Sequence, residues 1–221
     1  MSTISLADVR HNPDVRAYIE SANRFLDRMG YTEHGLRHAG IVANVARMIC
    51  LKLDYSPRES ELAAIAGFMH DMGNVVNRHG HGQSGALMAF RILTEMGMDA
   101  EEIALILGAI GNHEEVSGTP VSYASAAVIL ADKSDVHYSR VRNPDPEAYD
   151  IHDRVNSAVR RAQLRCLPKE ECINLTLTID TSVATVMHYF EIFLSRMVMC
   201  RNAAELLGCQ FRLTINGVRI G

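Results

Sequence analysis

The sequence predicts a mainly α protein, a helical bundle with a small C-terminal α+β appendage. Up to about residue 165, apolar residues recur at helical spacing behind repeated helix-start signals. After Pro168 the texture changes, and Ile173 to Ile179 alternates apolar residues with threonines as a strand does. Single histidines or aspartates close or open several apolar runs, which ties those runs to one shared interior.

Asn12 before Pro13 starts a helix over about 13 to 28. The second, about 34 to 53, carries Val42, Val45, Ala46, Ile49 and Leu53 on one face, and four residues back from Val42 stands His38. The box Ser56 to Glu59, with Pro57 at the first helical position, opens a helix over about 57 to 71 that ends in His70-Asp71. A glycine-rich loop from Met72 to Gly80 leads into about 81 to 97, whose inward set Gly85, Met88, Ala89, Ile92 and Met96 begins at His81. The box Asp99 to Glu102 opens about 100 to 114, where Ile103, Ile106, Leu107 and Ile110 lead to His113 and Glu114. Ala124 to Ala131 is small or apolar throughout and is capped by Asp132, within a helix over about 122 to 139. A seventh helix is predicted over about 147 to 165.

Beyond it come the strand 173 to 179, a long helix over about 181 to 207, and a hairpin over 209 to 220 turning at Asn216-Gly217. The hairpin is placed beside the strand. The long helix carries Met187, Phe190, Phe193, Leu194 and Met197, a pattern for core or for a homodimer interface. The expected division is a helical domain over 1–166 and an appendage over 167–221, packed on it or at a dimer interface.

A chain of 221 residues with 48% hydrophobic composition can bury one substantial core. No apolar stretch reaches bilayer length, the N-terminus lacks a signal-peptide pattern, and a cytoplasmic protein without membrane contact is expected. The net charge of -4, with scattered lysines and arginines, argues against nucleic acid as a partner. Cys50, Cys166, Cys172, Cys200 and Cys209 show no paired ligand spacing and are expected to be reduced and buried.

The inward histidines and aspartates therefore point to a metal site. Asp71 has two oxygens and can bridge two ions, with His38, His70 and Asp132 completing one and His81 and His113 holding the other. His79 is the alternative to His81, which is preferred for its spacing to Gly85. Asp132 could instead pair with Lys133. Imidazole and carboxylate without thiolate favour iron or manganese, with zinc, cobalt or nickel possible and magnesium less suited. Such a pair acidifies a shared water and holds a phosphoryl oxygen, so phosphate esters are the natural substrates. Asp71 and Glu114 are the candidate catalytic groups, Glu114 as a base or simply a solvated helix end. Arg37, Arg78 and Lys133 are the candidate substrate contacts, with Arg140 and Arg142 weaker and His34 at the mouth.

His38, His70-Asp71 and Asp132 together resemble the signature of the HD-domain metal-dependent phosphohydrolases. His81 with Gly85, "NHEEVSG" at 112 to 118 and "LADKSD" at 130 to 135 are similar to the two-metal branch, which includes HD-GYP phosphodiesterases and diadenosine tetraphosphate hydrolases. The likeness spans about residues 34 to 142. It implies an HD-domain-like fold and hydrolysis of a phosphate ester or anhydride, in a nucleotide or other small molecule, by a hydroxide bridging two metals. Asn112 replaces a ligand histidine and no Gly-Tyr-Pro triplet follows Gly118, which argues against cyclic di-GMP, and Asn74 stands in place of a lysine that many relatives carry near phosphate. The rival expectation is a non-hydrolytic nucleotide- or metal-sensing module acting through a partner.

Overall fold

The computed structural model describes residues 3–115 and 117–220. Nine helices precede or join a four-stranded sheet in the order α1 (Leu6–His11), α2 (Pro13–Arg28), α3 (Leu36–Lys52), α4 (Pro57–Met69), α5 (His81–Glu95), α6 (Ala100–Gly111), α7 (Tyr123–Ser134), α8 (Ile151–Ala158), β1 (Val159–Leu167), β2 (Cys172–Ile179), α9 (Val186–Leu206), β3 (Gln210–Ile215) and β4 (Val218–Arg219) among the described residues.

Side-chain caps start α2, α4 and α6 where the sequence places them. Asn12 accepts from the Asp14 and Val15 N–H groups above Pro13, and Ser56 and Glu59 form a reciprocal box on α4. Helix α1, opened by a Ser5–Asp8 box, is an addition to the sequence reading. Helices α3 and α4 pack along each other, with α7 across both and α6 against α4 and α7. The fully buried Ile49, Ile65, Met69, Ile106, Ile110, Ile129 and Leu130 fill the space between them.

α4 stops at Met69, and a short 3-10 helix over Met72–Val75 follows. That segment lies against α5 at a distance only glycine permits. A Cβ on Gly73 would stand 2.0 Å from the His81 carbonyl oxygen and 2.4 Å from the Gly85 nitrogen.

The helix expected over 147 to 165 is corrected: after a 3-10 turn over Pro146–Ala148, only Ile151–Ala158 is α-helical, and Val159–Leu167 is strand β1. Ala162, Gln163, Leu164 and Arg165 are good helix formers, but Ile173 to Ile179 supplies a strand partner, and pairing across Leu164 and Leu175 overrides local preference. β1 and β2 are antiparallel, β2 and β3 are parallel and joined by α9, and β4 closes a hairpin on β3. Ile173, Leu175, Leu177 and Ile179 are buried while the threonines between them are not. Helix α9 lies between this sheet and α7; Phe193 and Met197 are core, whereas Met187 and Leu194 are exposed. Among the described residues no helix is long and apolar enough to cross a membrane.

Candidate metal centre

Four helix ends converge on one buried cluster. His38 comes from the first turn of α3, His70 from the end of α4, His81 from the first residue of α5, and Asp132 from the last turn of α7. Asp71 follows the end of α4, so the chain has already left helical geometry and the adjacent His70 and Asp71 both reach the cluster. α6 ends at Gly111, three residues before the expected end at about 114, and His113 is delivered by the turn beyond it. α7 likewise ends at Ser134, leaving Asp135 at its cap.

Asp71 faces two ways. Its Oδ2 is 3.3 Å from His70 Nε2 and 3.7 Å from His38 Nε2, and Asp132 Oδ1 lies 3.4 Å from His38 Nε2 and 3.8 Å from His70 Nε2. Its Oδ1 is 3.3 Å from His81 Nε2 and 3.7 Å from His113 Nε2. Most of these separations are long for hydrogen bonds. Ligands about 2.1 Å from a shared cation, at angles from 90° to 120°, stand roughly 3.0 to 3.6 Å apart. Three of the six separations fall in that range, and the other three exceed it by 0.1 to 0.2 Å.

The opposite ring nitrogens fix the tautomers. Nδ1–H of His70 donates to Gly67 O at 2.8 Å, that of His113 to Ile110 O at 2.6 Å, that of His81 to Arg78 O at 2.8 Å, and that of His38 to Asp135 Oδ2 at 2.7 Å. Carbonyls and carboxylates only accept, so each neutral ring presents a bare Nε2 lone pair to the cluster. The Nε2 atoms of His81 and His113 face each other at 3.0 Å, a contact that either a proton between them or a cation beside them reconciles. His38 Nε2, His70 Nε2 and Asp71 Oδ2 are buried with no hydrogen-bond partner. Each such orphan costs about 1–3 kcal/mol, and a metal ion satisfies all of them. The donor set fits a divalent cation.

Protonation states agree for His113, Asp71 and Asp132. Burial drives the His113 imidazole down to about 4, so it is neutral at pH 7. Burial pushes the carboxyls of Asp71 and Asp132 up, but the imidazoles around Asp71, and Lys133 with His38 beside Asp132, hold both well below the usual range. Burial and Arg140 lower His38, yet its bonds to Asp132 and Asp135 outweigh them and its pKa rises.

The other sequence candidates fall in different places. Glu114 accepts from the Gly82 N–H and lies 2.8 Å from His81 Nδ1, so its carboxylate positions His81. Arg78 donates to Asn74 Oδ1 at 3.1 Å, with Asp71 Oδ1 4.0 Å away. Lys133 Nζ is 2.7 Å from Asp132 Oδ2. Arg37 is tied to Glu33 and Asp135 and lines a separate cavity of 330 Å³. Arg140 is buried on the carbonyls of Glu33 and Asp135, and Arg142 holds Asn23. His79 is outside the ligand groups formed by the described residues. The five cysteines are free and buried.

Sequence reasoning missed three contributors. Asp135 orients His38, Asn74 donates to Asp71 Oδ1 at 2.9 Å, and α9 supplies part of the adjoining cavity. Asp135, three residues past Asp132 and at the cap of α7, carried a usable signal; Asn74, three past Asp71, carried a weaker one. The cavity, 810 Å³, is lined by His34, Arg78, His81, Glu114 and Lys133, by Asn156 of α8, and by Phe193 and Arg196 of α9. Its volume lies within the range of small-molecule sites.

Residues 35–153 match the HD domain model, more than half of the chain, and the protein belongs to the HD-domain family. It is 28% identical over 179 residues to an uncharacterized protein of Methanocaldococcus jannaschii, covering 70% of this chain and 68% of that protein. A crystal structure of a predicted HD superfamily hydrolase from an uncultured Thermotogales bacterium is also similar, with a TM-score of 0.46 and 24% identity over 57% of this chain and 69% of its own.

Proposed function

We propose that the protein is a metal-dependent phosphohydrolase that cleaves a phosphate ester or anhydride in a nucleotide or other small phosphorylated molecule, using two divalent transition-metal ions. Membership of the HD-domain family supports metal-dependent phosphohydrolase chemistry in general. The observation that carries the two-ion reading is the opposed use of Asp71, whose Oδ2 faces His38 and His70 while Oδ1 faces His81 and His113. His38, His70 and Asp132 would hold one ion with Oδ2, and His81 and His113 the other with Oδ1. Iron and manganese suit this all-imidazole and carboxylate set, and zinc, cobalt and nickel can also take it. When bound, the ions supply an acidified water and neutralise charge on the phosphoryl oxygens.

The chain's own groups hold that arrangement. Asp135 and three backbone carbonyls keep the imidazole lone pairs aimed inward, and Asn74 restrains one Asp71 oxygen. Lys133 and Arg78 stand on the cavity wall beside the cluster, where their cationic ends can meet phosphate oxygens.

The test is a turnover screen of protein loaded with manganese or iron, against mononucleotides, dinucleoside polyphosphates and a chromogenic phosphodiester. Hydrolysis that disappears in Asp71→Ala supports the proposal. Tight binding without turnover across the whole panel would instead favour a sensing module.

A further inference from the structure

Building on the phosphohydrolase reading, we infer that Arg196 binds a second phosphate of the substrate, linked to the one that meets the metal cluster, and that Glu115 holds its place in the free protein. The substrate class is then a compound with at least two joined phosphates.

A row of charges leads away from the cluster along the cavity wall. Lys133 Nζ is 2.7 Å from Asp132 Oδ2 and 3.7 Å from Glu115 Oε1, and Arg196 Nε is 2.6 Å from that same oxygen. Ser195 donates to the other oxygen of Glu115 at 3.3 Å. Two cations thus converge on one carboxylate beside an open cavity. A phosphate presents more charge and more acceptor oxygens than a carboxylate, and guanidinium matches it in bidentate fashion. The Arg196 guanidinium lies 4.4 Å over the Phe193 ring, which fixes its plane from behind.

The order of the row sets the assignment. A phosphate at the cluster meets Lys133 first, and only a group attached to it reaches Arg196. Of the other two arginines of the cavity, Arg140 is held on backbone carbonyls, and Arg78 stands beside the cluster, 4.0 Å from Asp71 Oδ1, where it serves the first phosphate. Arg196 lies beyond residues 35–153, so the C-terminal part of the chain would set this preference.

The experiment is calorimetric titration of the full chain, with and without manganese, using methylenediphosphonate, whose bridge water cannot cleave, and methylphosphonate, which has one tetrahedral group. Arg196→Ala is expected to weaken the diphosphonate by about tenfold or more and methylphosphonate by less than about twofold, with Arg196→Lys intermediate. Glu115→Gln is expected to tighten the diphosphonate, because a competing charge is removed. A purely structural Glu115–Arg196 tie predicts lower melting temperatures in both variants and no tightening. Equal weakening of both probes, no effect of Arg196→Ala, or looser binding in Glu115→Gln would overturn the inference. Manganese content of the same samples separates the two readings: failure to take up metal contradicts the hydrolase, while the contrast between probes in metal-free protein still decides Arg196.

Discussion

At the scale of single residues, the site is defined by which atom of each side chain is already committed. Every ligand imidazole gives its Nδ1–H to an acceptor, three of them the carbonyl three residues earlier, and this repeated local bond leaves Nε2 free. His38 alone relies on a side chain, Asp135, with no backbone carbonyl beside it, and is therefore the ring most open to perturbation. Asp135→Asn should keep the fold and lower metal affinity by about 10- to 100-fold, read by competition with a chromophoric chelator, because the acceptor loses its charge. An unchanged affinity would remove Asp135 from the site. Glu114→Gln should act the same way through His81, and more weakly, since Arg78 O also accepts from that ring. The clustered side chains were legible in the sequence because an inward histidine on an apolar stripe is conspicuous. Asp135 was less so, since a carboxylate one turn after Asp132 and just past a helix end reads equally as a solvated cap.

Elements explain both what was foreseen and what was not. Helices α2 and α4 start where Pro13 and Pro57 follow capping residues, because a side-chain cap and a fixed φ are local facts. β1 was hidden for the opposite reason: its strand character comes from pairing with β2 across the turn at Glu171, and nothing within Val159 to Leu167 announces it. The junction between the α4 end and α5 is the element most sensitive to a single atom. Gly73→Ala would drive a methyl into the His81 carbonyl and the Gly85 nitrogen, so the backbone must move. A loss of about 2–3 kcal/mol in chemical denaturation is expected, together with weaker metal binding, since His81 and Asp71 flank the contact. An equally stable protein with intact metal affinity would show that the approach is not needed to build the site.

For the whole molecule, the same interior that stabilises the fold also stores the cost of the cluster. His38 Nε2, His70 Nε2 and Asp71 Oδ2 lie unpartnered among fully buried apolar residues, so metal binding and folding are linked. At free metal about 100-fold above Kd, linkage contributes about 2.7 kcal/mol per ion. For a chain of this size each ion corresponds to a rise of roughly 5 to 10 °C in Tm over chelator-treated protein. A Tm indifferent to metal would sever that link. The helical bundle could be read from sequence through its periodicity, whereas the cavity could not, because Phe193 and Arg196 reach it only through the packing of α9 on α7. The most direct test of the central claim is the metal-to-protein ratio, by elemental analysis of wild type and Asp71→Ala after saturation with manganese and desalting. The account predicts two ions per chain in the wild type and a loss of both when the shared carboxylate is removed. A wild-type chain that retains no metal, or a variant that keeps its full complement, would contradict it.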